Sequence, residues 1–329
     1  LGTVHYDVGS EYRKATHTTP ESVEIQSLLA EMRDAGCRSA VMEVSSHALS
    51  QHRVDSVLFD AGIFTNFTQD HLDYHKTMDA YFEAKALLGE LLVNQGGKKK
   101  PVFVINKDDG YGQRLIRRFK DRVDVVTYGM GVGCDFRATR IAADVNGTRF
   151  ELEAKGRTFM VRLPLIGRYN VYNVLSVLAA TKAMGLNLRE SVQHLEEAPQ
   201  VPGRLEAIDH IGGFKVYVDY AHTPDALENV LKILRDLSPR RLICVFGCGG
   251  NRDREKRKLM GMASRNHADV SVVTSDNPRN EDPEAIINDI GAAFGTDYYV
   301  KYVDRREAIR RAIAMALPGD IVVVAGKGH

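Results

Sequence analysis

The stretch from Phe214 to Gly247, FKVYVDYAHTPDALENVLKILRDLSPRRLICVFG, decides the fold. Its two ends, FKVYVDY and RLICVFG, are short apolar runs rich in β-branched and aromatic residues, which is the character of buried strands. Between them PDALENVLKILRDL carries apolar residues at helical spacing and opens on a proline, the residue best tolerated in a first helical turn. A strand, a helix of this length and a second strand predict a parallel pair with the helix packed on its face. The rhythm repeats downstream through REKRKLMGMASRN, ADVSVVTSD, PEAIINDIGAAF, RREAIRRAIAMAL and DIVVVAG. The expectation is therefore an α/β fold with a mostly parallel sheet.

Upstream the same alternation holds, with SAVMEVSS, FDAGIFTN, PVFVIN and VDVVTYG as expected strands and DAYFEAKALLGELL as an amphipathic helix. Between Asp135 and Leu165 strand alternation surrounds Asn146-Gly147, a strong turn pair, so a small antiparallel β insertion is expected there. NVYNVLSVLAATKAMG reads as a helix ending at Gly185. The segment APQVPGR, with two prolines and a glycine, marks the expected domain boundary, giving domains at 1–200 and 201–329.

The chain has 329 residues, long enough for two cores, and its 44 Lys plus Arg nearly balance 43 Asp plus Glu. Such a balance argues against a nucleic-acid footprint, so a charged ligand must be held by local clusters. Cys37, Cys134, Cys244 and Cys248 show no metal-knuckle or redox spacing, and the last two read as small apolar fillers. No apolar run has the length of a membrane span, and a cytoplasmic location is expected. Both ends, Leu1 beside LGTVHYDV and His329 after DIVVVAGKGH, look cut rather than finished.

In parallel α/β sheets ligands bind beyond the carboxyl ends of the strands. Six such ends are polar here: Glu43 to His47, Thr65 and Asn66, Asp219 and His222, Gly247 to Arg252, Asp276 to Arg279, and Lys327 to His329. In NFTQDHLDYH, His71 and His75 stand four apart, a spacing that suits one metal on a helix, although a capped helix start with solvated side chains explains it as well. Lys85 lies in an apolar stripe with Tyr81, Phe82, Leu88 and Leu92, either snorkelling or as a desolvated amine reactive enough to add CO2. The loop GCGGNRDREKRK suits an anion at a helix N-terminus but matches no nucleotide fingerprint. Asn170 and Asn173 fit a helix start, where asparagine usually caps.

HTTPES, EVSSHALSQHRVD, FTNFTQDHLDYHKTMDAYFEAKALL, GRYNVYN, VPGRLE, VDYAHTPDAL, FGCGGNRDREKRKLMG, TSDNPR and AGKGH, in that order from Thr18 to His329, resemble the Mur ligase family of ATP-dependent amide-forming enzymes. The resemblance implies a central ATPase domain with the antiparallel insertion, followed by a Rossmann-like C-terminal domain for the incoming amino acid. It also implies an N-terminal UDP-binding domain and a phosphate-binding loop ahead of LGTV, which this sequence does not include, so a fragment is expected; His17 stands where many relatives have asparagine. The implied reaction is phosphorylation of the D-glutamate carboxylate of a UDP-muramoyl dipeptide by ATP, with Mg2+, followed by attack of an amine. Glu43 and His71 match magnesium ligands and Lys85 the lysine that becomes a carbamate. Thr18, Thr19, Ser46, Gln51 and Arg53 match the muramoyl-peptide site; Asn173, Arg204, Asp219 and His222 match the nucleotide site. Arg257, Asp276, Asn277, Pro278, Arg279 and Gly326 match the amino-acid pocket.

The arginine of DNPR resembles the branch that adds meso-diaminopimelate, whose distal end bears both a carboxylate and an ammonium. Arg279 would take the carboxylate as a planar fork and Asp276 the ammonium, and lysine would leave the guanidinium unpaired. A lysine-adding relative, a folylpolyglutamate synthetase-like ligase and a non-catalytic ligand-binding remnant are the competing readings. The expected partners are small molecules, with no nucleic acid and no membrane, and a monomer is expected.

Overall fold

The computed structural model describes residues 1–96, 100–209 and 211–327. Two compact units divide the chain: Leu1–Thr139, Glu151–Phe159 and Val171–Val192 form the first, and Arg140–Phe150, Met160–Asn170 and Gln193–His329 the second.

The chain opens with a small antiparallel pair, β1 (His5–Asp7) and β2 (Tyr12–Lys14), followed by helices α1 (Ser22–Asp34) and α2 (Ser46–Ser50). Strand β3 (Ala61–Phe64), the single turn α3 (Leu72–His75), helix α4 (Met78–Asn94), strand β4 (Val102–Asn106), helix α5 (Gly110–Phe119) and strand β5 (Asp124–Gly129) come next. Then β6 (Phe136–Asp144), β7 (Gly147–Ala154) and β8 (Arg157–Leu163) are joined by two-residue turns and lead into α6 (Arg168–Ala183) and α7 (Leu188–His194). The six strands pair in the order β3-β4-β5-β6-β7-β8, and the first three junctions are parallel. Thr77 caps α4 by accepting from Ala80 N at 3.1 Å, and that helix buries Tyr81, Phe82 and Leu92 against Phe103, Ile105 and Phe119. It lies close because Gly89 has no side chain: a Cβ there would stand 2.5 Å from the Phe119 ring.

Two sequence expectations are corrected here. SAVMEVSS is not a strand: Leu1 N donates to Val41 O at 2.7 Å and Glu43 N to Leu1 O at 2.9 Å, and Val41 is exposed. The segment has no sheet partner among the described residues. In the first hairpin the turn residues are Val145 and Asn146, and Gly147 already begins β7. Any Cβ at Gly147 would lie 2.0 Å from Leu163 O, so the glycine is required by close backbone approach as well as by its φ of 143°.

The second unit continues with β9 (Glu206–Ile208), β10 (Lys215–Asp219), α8 (Pro224–Asp236), β11 (Leu242–Phe246), α9 (Glu255–His267), β12 (Val270–Thr274), α10 (Pro283–Gly291), β13 (Val300–Tyr302), α11 (Arg305–Met315) and β14 (Ile321–Ala325). Its sheet runs β13-β12-β11-β14-β10-β9, parallel except for the edge strand β9. Alternate residues of the central strands feed two cores. Leu242, Cys244 and Phe246 meet Leu231, Leu234, Met260 and Ile290 from α8 to α10, while Ile243 and Val245 meet Ala308 and Ala312 from α11. Each large side chain so buried contributes about 1.5–3 kcal/mol, which is why the strands read as continuous apolar runs. Thr223 and Asp282 cap α8 and α10 ahead of Pro224 and Pro283. Because β14 inserts between β10 and β11, the strand order reverses beside β14, and in open sheets such a reversal opens a crevice at the carboxyl ends.

Candidate active site

In the second unit a cavity of about 630 Å³ occupies that crevice. It is lined by residues that follow four strands: Tyr220 and His222 after β10, Gly247 to Gly249 with Arg252, Asp253 and Lys256 after β11, Asp276, Asn277 and Arg279 after β12, and Gly326 and Lys327 after β14. The wall after β11 and the wall after β12 are tied main chain to main chain. Gly250 N donates to Asn277 O at 2.8 Å, and Arg279 Nη1 donates to Gly250 O at 2.7 Å. Arg279 itself sits at φ 53°, a left-handed conformation uncommon for a non-glycine residue, which turns the chain sharply after Pro278. Asp276 is mostly buried, and Lys327 Nζ approaches its Oδ1 to 3.5 Å. Cys248, part of this wall, is a buried free thiol pushed up to about 11 by burial.

Of the residues expected in the amino-acid pocket, Asp276, Asn277, Arg279 and Gly326 line one cavity, and His222, expected at the nucleotide, lines it too. Pro278 stands behind, its carbonyl accepting from Glu281 N. Arg257 is a correction. It is 1% exposed, with Nη1 on Asp289 and Nη2 on both oxygens of Glu281, so it lies behind the cavity and Arg252 faces it instead. The helical register explains the miss: Arg257 falls on the inner face of α9 with Met260 and Gly261, while Arg252 precedes the helix. Gly328 and His329 lie outside the described residues. Asp219 lies buried outside the cavity lining, accepting from Leu205 N and Ala221 N, both at 2.8 Å, and burial raises its carboxyl above the ordinary range against those two bonds and nearby Arg204.

The first unit has its own cavity, of about 610 Å³. Thr18, Thr19, Glu43, Ser46, Arg53, His71 and Lys85 all line it, together with His17, His47, Thr65 and Asn66; Ser176 from α6 is a lining residue that no motif signalled. The scaffold is a set of short bonds. Thr19 Oγ1 donates to Glu43 O at 2.8 Å and accepts from Ser45 N at 2.9 Å; Arg53 Nη1 holds Thr19 O at 3.1 Å and Nη2 lies 2.9 Å from Glu21. Gln51 is outside the lining but accepts from Arg53 Nε. Ser45 caps α2, and Ser46 Oγ pairs with His75 Nε2 at 2.9 Å. The two histidines of the i, i+4 pair therefore do different things: His75 is buried against Ser46, and His71, at φ 53°, begins a single helical turn. Burial lowers the pKa of His75 and of His47, which packs against the His71 and Tyr74 rings. Asn173 is exposed on α6.

Lys85 emerges from α4 with Nζ 5.7 Å from the centre of the Tyr81 ring, and burial lowers its pKa despite the raising influence of Glu43 and Asp70. Such an amine is more often neutral than an exposed lysine. Glu43 and His71 alone fall short of a cation site, and no group of three or more His, Cys, Asp or Glu suited to a metal occurs among the described residues. A carbamate on Lys85 would supply the missing oxygen donors beside Glu43, so the donor set fits a hard divalent cation on that condition.

These two sites sit in two halves of one family. The Mur ligase middle domain matches residues 1–181, and the domain described as "Mur ligase, glutamate ligase domain" matches 203–328. The chain belongs to the Mur ligase family, and it is an ATP-dependent ligase. It is 44% identical to the UDP-N-acetylmuramoyl-L-alanyl-D-glutamate--2,6-diaminopimelate ligase of Geobacter sulfurreducens and 46% identical to that of Geobacter metallireducens, in each case over 100% of this chain and 68% of the relative. A solved structure of a ligase with that name superposes at a TM-score of 0.73 with 34% identity, covering 100% of this chain and 68% of the other. The folylpolyglutamate synthase of Mycobacterium tuberculosis, solved with ADP, shares the fold at a TM-score of 0.71 and 22% identity, covering 92% and 69%.

Proposed function

We propose that the chain adds meso-diaminopimelate to UDP-N-acetylmuramoyl-L-alanyl-D-glutamate in peptidoglycan precursor synthesis. ATP phosphorylates the D-glutamate carboxylate, releasing ADP; the amine nitrogen then attacks the acyl carbon, losing a proton, and phosphate leaves. A carboxylate is a poor electrophile until one oxygen becomes a phosphate leaving group, which is what ATP provides. The observation that carries the substrate choice is a cavity at the reversal of the second sheet with Arg252, Lys256 and Arg279 set among Asp253 and Asp276, charges of both signs for a ligand that bears both. Arg279 takes the distal carboxylate, Asp276 the distal ammonium, and Asn277 and Gly326 orient the backbone of the ligand.

The division of labour follows residues 1–200 and 201–329. Thr18, Thr19, Ser46 and Arg53, with Gln51 bracing the arginine, hold the muramoyl peptide. Asn173 reads the adenine, Arg204 and Asp219 the phosphates and ribose, with His222 beside them. Magnesium, held by Glu43, His71 and a carboxylated Lys85, would offset the charge between phosphate and carboxylate. No helix among the described residues is long and apolar enough to cross a membrane; the four free cysteines suit a reducing cytoplasm, and a monomer is the proposed state. The test is phosphate release from ATP by the intact enzyme across an amino-acid panel. Release should require both the UDP-muramoyl dipeptide and diaminopimelate, and equal turnover with lysine would overturn the substrate assignment.

A further inference from the structure

The largest fully buried side chain among the described residues is a charged one, Arg257. Its fork grips Glu281 at 2.8 and 2.9 Å and Asp289 at 2.8 Å. Replacing a buried ion pair by apolar groups of similar volume is often neutral for stability, so holding the fold together is a weak explanation for it. What the pair does achieve is placement. Glu281 is 15% exposed and, besides Arg257, accepts the backbone N–H of Asn251, in the loop after β11. Three further ties join the same loop to the corner after β12: Gly250 N donates to Asn277 O at 2.8 Å, Asn280 N to Asn251 Oδ1 at 3.0 Å, and Arg279 Nη1 to Gly250 O at 2.7 Å. Arg252 and Arg279, which line the cavity, stand on these two segments, one residue beyond Asn251 and two before Glu281.

We infer that Arg257 is a positioning residue for amino-acid recognition: by fixing Glu281 it sets, through the Asn251 N–H, the spacing of the loops that carry Arg252 and Arg279. It does not touch the substrate. The inference rests on the diaminopimelate reading above. Asp289 is half-exposed and solvated, so it anchors the outer side of the fork without reaching the cavity.

The experiment uses the intact enzyme, with the Michaelis constants for diaminopimelate and ATP measured separately alongside the melting temperature. Arg257→Met is expected to raise the diaminopimelate constant by about 100-fold, the effect of a displacement near 1 Å, while leaving the ATP constant unchanged. Because this variant strands a buried carboxylate, a double variant, Arg257→Met with Glu281→Gln, removes both charges. Its melting temperature should return to that of the wild type while the diaminopimelate constant stays raised. Recovery of both together, or a parallel rise in the ATP constant, would overturn the positioning role. A wild-type enzyme that ignores diaminopimelate would instead overturn the substrate reading.

Discussion

Replacing Gly250 by alanine tests whether the cavity of the second unit is shaped by contact between two main-chain segments. Gly250 is buried, and its φ lies outside the left-handed region, so alanine suits its own backbone. The obstacle is across the gap: the added Cβ would stand 1.9 Å from Pro278 O and 2.7 Å from Pro278 C. A carbon and a carbonyl oxygen need about 3.3 Å, so the corner after β12 must retreat by more than ~1 Å. That displacement breaks the Gly250 N to Asn277 O bond and the Arg279 to Gly250 O bond, of 2.8 and 2.7 Å. One neutral and one charge-assisted hydrogen bond together are worth about 2–4 kcal/mol, or a fall in melting temperature of roughly 5–15 °C for a unit of this size. Half-saturation by diaminopimelate should rise about 100-fold. The assay is phosphate release against diaminopimelate concentration, paired with a thermal melt. Gly110→Ala is the control, since nothing lies within 4 Å of a Cβ there. Unchanged saturation in Gly250→Ala would refute the proposed dependence on these ties.

Other consequences follow from individual side chains. Asp109 accepts from Tyr111 N and Gly112 N to cap α5 and from Phe67 N at 3.0 Å, so Asp109→Ala should cost about 2–3 kcal/mol, read by denaturant unfolding. Cys244 and Cys248 are buried and pushed up to about 12 and about 11, whereas Cys37 is exposed. Iodoacetamide should label Cys37 first, with Cys248 labelling rising about tenfold per pH unit as its thiolate forms, followed by peptide mass spectrometry. For His75 burial lowers the folded-state pKa below 6.5, so the folded protein binds fewer protons than the unfolded chain. Its contribution is present above 6.5 and is lost as pH falls through the lowered value. The melting-temperature difference between wild type and His75→Gln should shrink from about pH 8 to about pH 5, and a flat difference would contradict the assignment.

The second unit was the more legible because its strands are buried on both faces and separated by helices with capping residues, so periodicity and caps agree over Phe214 to Ala325. SAVMEVSS misled because an apolar run of strand length does not by itself make a ladder: among the described residues its backbone meets Leu1 and the Thr19 side chain and not a strand. Strand-end polarity located the cavity of the second unit, since a parallel sheet exposes its loops at one edge, but in the first unit it reached only Thr65 and Asn66, after β3. It could not tell Arg252 from Arg257, five residues apart in one basic loop and helix, because which of them faces inward depends on where α9 begins. Ser176 was silent for a related reason: it arrives from α6, distant in sequence and framed by apolar neighbours.

The left-handed backbone of Arg279 carries a further consequence. An L-residue other than asparagine or aspartate holds that conformation at a cost of about 1–2 kcal/mol that achiral glycine escapes, so backbone preference and residue identity disagree at this position. Glycine or asparagine would relieve that cost but would also remove the Arg279 Nη1 to Gly250 O bond of 2.7 Å, a charge-assisted tie worth about 1.5–3 kcal/mol, so strain and tie offset one another. The corner after β12 is thus held in an unfavourable backbone conformation by its own side chain.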